Sequence, residues 1–236
     1  NFFFKIIEKI LSYKTYIFIT INNHDFNFVK LNLTNKKLCY KINGVGLKLS
    51  SKHFKKKIKN KKQIKKILVI AAYKKDKGYL EILKVAELLK KRNIQIECYG
   101  YGNYDIFKSI KLKKKLNNIS FNYFDKNLQK KIKNFDILLH LSKREGLPVA
   151  VMESLAEGLP VICYDIRGNN DLIKNRINGY FVKSHKDVPN KIYYLNLEES
   201  LFNKMRFNAF KSISKDFTEK RINLKIYKII KKHFNH

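Results

Sequence analysis

A chain of 236 residues with 44% hydrophobic content can bury a globular core, and it can hold one large domain or one domain plus part of another. Its formal net charge of +32, from 51 Lys and Arg against 19 Asp and Glu, raises nucleic acid, an anionic membrane and phosphorylated ligands as partners. The lysines run through the whole chain and no nucleic-acid motif accompanies them, so solvated lysine faces are the plainer account and nucleic acid is not expected as a partner. Three widely spaced cysteines, Cys39, Cys98 and Cys163, suggest neither a disulfide framework nor a zinc site and fit a reducing cytosol. The six histidines have no metal spacing, and His140, inside an apolar run, reads as a core histidine. Lys5, Glu8, Lys9 and Lys14 interrupt the apolar stretch from Phe2 to Ile21, so neither a spanning helix nor a signal peptide is expected. The chain starts at Asn1 with no small-residue cleavage site nearby, and the expectation is an interior starting point within a longer protein.

In chain order, residues 1–13 read as a helix with Phe3, Ile6, Ile7 and Ile10 on one face. A buried strand is expected at 16–21, rich in β-branched and aromatic residues and closed by Asn22 and Asn23. Residues 25–42 hold a short helix and a short strand from Leu38 to Ile42, followed by a turn at Gly44-Val45-Gly46. The lysine-dense stretch 52–66 has little periodicity and reads as an exposed linker and domain boundary. From Ile67 strands and helices alternate: strands at 67–72, 94–99, 119–123, 136–141, 160–164 and 180–182, helices at 77–91, 105–116, 128–133, 148–157 and 170–174. Short apolar strands separated by helices require crossover connections, hence an α/β, Rossmann-like domain with a parallel sheet covered on both faces over 67–185. Residues 186–236 read as helices, the last carrying Ile222, Ile226, Ile229 and Ile230 at helical spacing.

In an open parallel sheet, ligands bind beyond the carboxyl ends of the strands, where the amides of following helices are unpaired. After the strand 136–141 comes Ser142-Lys-Arg-Glu145-Gly146-Leu147-Pro148, in which Gly146 permits close backbone approach and Pro148 suits a first helical position. This helix start suits a phosphate. Glu145 and Glu153 stand eight residues apart. That is up to ~12 Å along a helix axis, against roughly 5 to 9.5 Å for a glycosidase carboxylate pair. They do not fit one hydrolytic centre, but they suit two ends of one long ligand. On spacing alone, a helix-start carboxylate and an exposed helix residue account for them as well.

Glu145-Gly-Leu-Pro-Val-Ala-Val-Met-Glu153, then Ser154-Leu-Ala-Glu-Gly-Leu-Pro160, Arg167-Gly168-Asn169-Asn-Asp171 and Asn178-Gly-Tyr, resembles the E-x7-E region of the retaining GT-B glycosyltransferases of family 4. Arg167-Gly168-Asn169 is most similar to the branch that builds capsular polysaccharides and exopolysaccharides. Residues 11–25 and Gly44-Val45-Gly46 resemble the end of that branch's N-terminal domain. The resemblance covers nearly the whole chain but only the later part of the family. It implies a remnant of the acceptor-side Rossmann-like domain over 1–51 and a donor-binding domain over 67–185. In the helices of 186–236, it implies a last helix that crosses back toward the N-terminal domain.

The resemblance further implies a nucleotide-sugar donor, UDP-linked, and hexosyl or N-acetylhexosaminyl transfer to a glycan or lipid-linked acceptor. Retention of configuration, no resident cofactor and no required metal go with it. Glu153 would bond the ribose hydroxyls, Glu145 would face the donor sugar, and the amides of Gly146 and Leu147 would meet the diphosphate or sugar. Lys77, before Gly78, occupies the place of the lysine that neutralises the diphosphate. Gly100 and Gly102 resemble the family's Gly-x-Gly donor loop. The family often has an arginine where this chain has Ala72, and an aspartate where it has Lys48. A donor-binding half that works with a partner chain is the alternative reading. A cytoplasmic enzyme, peripheral at the inner face of an anionic membrane, is compatible with a lipid-linked acceptor.

Overall fold

The computed structural model describes residues 2–33, 38–49, 59–213 and 215–234. The chain divides into two units, one of residues 1–54 with 214–236 and one of residues 55–213. The second unit holds strands β3 (Lys66–Ile70), β4 (Gln95–Gly100), β5 (Ile119–Tyr123), β6 (Ile137–His140), β7 (Val161–Tyr164) and β8 (Gly179–Val182). They form one sheet in the order β5-β4-β3-β6-β7-β8, every pair parallel. Parallel neighbours need crossovers, supplied among others by α3 (Tyr79–Leu88), α4 (Asp105–Lys113) and α6 (Val149–Ala156).

Ile67 and Val69 of β3 enter one core cluster with Ile82, Leu83, Ile96 and Leu139, while Leu68 between them is equally buried. Alternate side chains of a strand point to opposite faces, so β3 is covered on both, which its continuous apolar run requires. Three short strands run outward from β3 to β5, and the chain then returns to lay β6 on the other side of β3. The order reverses between β3 and β6, and a crevice at such a point is where ligands bind in doubly wound sheets. The loops that follow these two strands carry Lys77 and Glu145.

The first unit holds α1 (Phe2–Ser12), β1 (Phe18–Thr20), α2 (Asn23–Asn32), β2 (Cys39–Lys41) and α10 (Glu219–Phe234). β1 and β2 pair in parallel, Phe18 opposite Cys39, and α2 is N-capped by Asn22, whose Oδ1 accepts from the Asp25 N–H at 2.8 Å. Ile222 and Ile229 of α10 pack with Ile42, Ile17 and Ile21. Gly46, at φ +82°, brings Leu47 beside Thr218, and a Cβ there would stand 2.6 Å from the Glu219 Cα.

Two expectations change. The strand at 16–21 is shorter and only half-buried, with Ile19 39% exposed, because it belongs to a two-stranded sheet. The supposed linker 52–66 falls partly outside the described residues, but 59–66 belong to the second unit and Ile64 is 1% exposed. Of the helices at 186–236, α8 (Val188–Leu197) and α9 (Glu199–Ser212) belong to the second unit and α10 to the first.

Candidate functional site

After β3 the chain makes a short 3-10 turn at Lys75–Lys77 and enters α3 through Gly78 at φ +80°. A Cβ on Gly78 would lie 2.1 Å from the Leu141 carbonyl oxygen, so only glycine lets this turn close onto the end of β6. The closure aligns the two loops. The Lys143 N–H donates to the Asp76 carbonyl at 2.9 Å, and the Lys77 ammonium reaches Glu145 Oε1 at 2.8 Å. Residues 68 apart in sequence thus form one ion pair, with side chains 23% and 14% exposed.

His140, the last residue of β6, sends Nε2 to 3.3 Å from the same Glu145 oxygen, without the alignment of a full hydrogen bond. Burial works against ionisation of Glu145, but the polar groups facing it, His140 first and then Lys77 and Ser142, outweigh that and hold its carboxyl at about 2. The far side of the loop is clamped by Arg167, whose Nε donates to the Glu145 carbonyl at 3.0 Å. Gly168, at φ +83°, has Gly146 O 2.4 Å from where a Cβ would be, so the two loops touch backbone to backbone.

α6 then starts at Val149 with Pro148 as its N-cap, one residue later than expected. The amides of its first turn have no helical partner, and among the described residues the Leu147 N–H makes no hydrogen bond either. Glu153 lies on the second turn of α6. Among the described residues its carboxyl makes no hydrogen bond or ion pair, and burial alone pushes it above the usual carboxylate range. A partly buried carboxylate left unmatched costs stability, and such groups cluster at functional sites.

The remaining expected residues sit on the neighbouring loop. Gly100 ends β4 with the Ala71 carbonyl oxygen 1.9 Å from a would-be Cβ, so the β3 and β4 loops pass too closely for any side chain. Gly102 adopts φ +104° beside Tyr73, whose N–H donates to the Tyr101 carbonyl at 2.8 Å. The structure therefore joins Lys77 directly to Glu145, with Gly146 and Leu147 beside them, and keeps Gly100 and Gly102 on the adjacent strand end. Sequence reasoning missed two participants. His140 is indeed buried in a strand, but its position at the strand's carboxyl end by the reversal point is a signal that it faces the site. Arg167 was read only as part of a pattern, and it fixes the loop's backbone. Asn178 of the same pattern is architectural: its Oδ1 accepts from the Lys174 N–H at 2.7 Å and its Nδ2 donates to the Leu172 carbonyl at 2.9 Å. No group of three or more His, Cys, Asp or Glu side chains suited to a metal ion occurs among the described residues.

The family model described as glycosyl transferases group 1 matches residues 50–212. The poly(ribitol-phosphate) alpha-N-acetylglucosaminyltransferase of Staphylococcus aureus is 29% identical over 121 residues, 48% of this chain and 24% of that protein. A Campylobacter jejuni protein, N,N'-diacetylbacillosaminyl-diphospho-undecaprenol alpha-1,3-N-acetylgalactosaminyltransferase, is 30% identical over 223 residues, 87% of this chain and 57% of that protein. The crystal structure of a mutant of S. aureus TarM, in complex with fondaparinux, alpha-GlcNAc-glycerol and UDP, superposes with a TM-score of 0.80 at 22% identity, covering 95% of this chain and 45% of that one. The fold is that of the GT-B glycosyltransferases. The chain thus spans between about a quarter and three fifths of the length of these relatives.

Proposed function

The chain belongs to the glycosyl transferases group 1 family, and on that premise we propose that it binds a nucleotide sugar, UDP-linked, at the β3/β6 reversal point. Its reaction is retaining transfer of a hexosyl or N-acetylhexosaminyl group to a glycan or lipid-linked acceptor in surface-polysaccharide assembly. The observation that carries this reading is the Lys77–Glu145 pair at 2.8 Å, taken with the unbonded Leu147 amide and, on the second turn of α6, the unmatched Glu153 carboxyl. This combination offers a cation and amide donors for a diphosphate. It adds one acceptor for sugar hydroxyls and another for ribose hydroxyls.

Transfer breaks the anomeric C–O bond and leaves its electron pair on the departing diphosphate. Stabilising that growing charge is the main electrostatic task. Lys77 and the Gly146–Leu147 backbone do this at the start of α6, whose amides point toward negative charge. Glu145, ionised at neutral pH, positions the Lys77 ammonium and faces the donor sugar. Glu153 accepts from the ribose hydroxyls, and Gly100 and Gly102 keep the neighbouring loop low enough for the nucleotide to lie across it. No step is assigned to a metal or resident cofactor. A lipid-linked acceptor would bring the basic chain to an anionic membrane surface.

The chain spans no more than 57% of the relatives described, and the second reading is a donor-binding part that works with acceptor groups outside these residues. Both readings stand on the donor site. Calorimetry with a panel of UDP- and GDP-sugars tests it directly, on the wild type and Glu153→Ala. Losing a hydrogen bond to a charged group costs about 1.5–3 kcal/mol, so the variant should bind UDP-sugars at least about tenfold more weakly. Equal binding by the two proteins removes the ribose contact.

A further inference from the structure

The opposite end of the same sheet is also built for charge. Lys66 begins β3 and Asp136 precedes β6, so both lie at the amino ends of the strands whose carboxyl ends carry Lys77 and Glu145. A concave opening of about 520 Å³ lies here, its lining including Lys61, Lys62, Lys65, Lys66, Asn134 and Asp136. Asp136, 4% exposed, accepts from the Lys61 ammonium at 2.5 Å and from the backbone N–H groups of Lys65 and Lys66 at 2.7 and 2.8 Å. Arg206, 3% exposed, donates through Nη1 to the Asp136 carbonyl at 3.4 Å, and among the described residues its Nε makes no hydrogen bond. One carboxylate therefore stands against two neighbouring cations, Lys61 and Arg206, before the exposed lysines are considered.

Lys62, Lys65 and Lys66 are those exposed lysines, and among the described residues none of their ammonium groups makes a hydrogen bond or ion pair. Their backbone is anchored all the same. Asn203 Oδ1 accepts from the Lys61 N–H at 2.8 Å, Asn196 Oδ1 accepts from the Ile64 N–H at 2.7 Å, and the Ile64 side chain is buried. Three unmatched cations are thus held on a fixed backbone around one concavity. Like charges gathered this way repel each other, and a polyvalent anion relieves that repulsion. The opening falls within the ~300–1,000 Å³ of small-ligand sites, and its lining residues all end in charged or polar groups. No aliphatic or aromatic side chain lines this opening to enter a membrane.

We propose that this lysine-rimmed cavity is a second anion site, for linked phosphate groups, either a free oligophosphate or a segment of a phosphodiester chain. It is independent of the donor site, and nothing in the donor reading requires it. The test titrates the full chain, followed by amide NMR, with inorganic tripolyphosphate and with an abasic phosphodiester oligomer. Shifts should gather at residues 61–66 and 134–136, saturate, and weaken as salt rises. Lys62→Gln/Lys65→Gln/Lys66→Gln keeps the Lys61–Asp136 pair and so keeps its melting temperature. It should lose about tenfold in affinity, each lysine contributing on the scale of an exposed ion pair. Lys108→Gln/Lys113→Gln/Lys115→Gln, removing three lysines in and just beyond α4, should bind as the wild type does. Saturation by both probes assigns the site to phosphate groups in general, and saturation by the oligomer alone assigns it to a chain. Shifts confined to 145–147, equal losses in the two triple variants, or no saturable binding would each overturn the proposal. Because UDP is read at 145–153, failure of the donor assignment leaves this result untouched.

Discussion

The two ends of the central sheet use the same pair of groups to opposite effect. At the carboxyl end, Lys77 meets Glu145 at 2.8 Å with His140 close by, so cation and carboxylate are matched. At the amino end, Lys61 meets Asp136 at 2.5 Å, yet Arg206 and three exposed lysines leave the positive charge in excess. A matched pair holds a loop in one geometry and keeps a lysine poised. A surplus creates a field that needs a counterion. Charge composition alone does not separate these cases, and the position of one buried carboxylate does.

Removing that carboxylate should give the largest effect. Asp136→Ala leaves the Lys61 ammonium and two backbone amides without their shared carboxylate, while the Arg206 bond to the backbone carbonyl stays, and breaking a buried pair in this way costs about 3–5 kcal/mol. Urea unfolding should register most of that loss, while a change under about 1 kcal/mol would mean that the amino-end network is solvent-matched after all. At the carboxyl end the corresponding substitution is Glu145→Gln, and its effect depends on pH. Glu145 is held at about 2 in the folded chain, against roughly 4.3 when unfolded. A depressed carboxyl pKa stabilises above the unfolded value, and that contribution is lost as pH falls through the folded one. The wild type should therefore exceed Glu145→Gln by roughly 3 kcal/mol at neutral pH, with the gap closing between about pH 4.5 and pH 2. A gap that does not vary with pH would assign the loss to packing.

Much of this arrangement was legible in the residues. Alternating apolar runs and helical spacing from Ile67 onward predict a parallel α/β domain, and the structure has it, because each segment's local pattern agrees with its burial. The order in which β3 and β6 come together was not legible by pattern, since strand neighbours are decided by non-local packing. Glu145 and Lys77 were both singled out by resemblance. Their contact with each other was not, since it depends on a Gly78 turn closing on Leu141 O across the sheet. His140 looked like core because it is core, and only its place at the end of β6 turns one ring edge toward Glu145. The stretch 59–66 looked like linker because a single Ile64 among lysines carries no period. Its anchors, Asn196, Asn203 and Asp136, lie far away in sequence.

Glu153 gives the smallest effect and the one most informative about function, because its sign is opposite to that of Glu145. Burial raises its carboxyl pKa, and among the described residues no partner offsets this. A carboxyl whose folded pKa is raised destabilises the fold wherever it is ionised. The penalty is full above the folded pKa and absent below the unfolded one. Glu153→Gln should accordingly raise stability at neutral pH by about 0.5 kcal/mol, on the scale of relieving one unfavourable site, and show no gain near pH 3.5. The same substitution should weaken UDP binding, since a neutral amide accepts more weakly from hydroxyls than a carboxylate does. A residue kept at a cost to the fold and needed by the ligand is retained for binding. Loss of stability in Glu153→Gln at pH 7, or unchanged UDP affinity, would make Glu153 an ordinary helix residue and leave Lys77 and Glu145 as the core of the donor site.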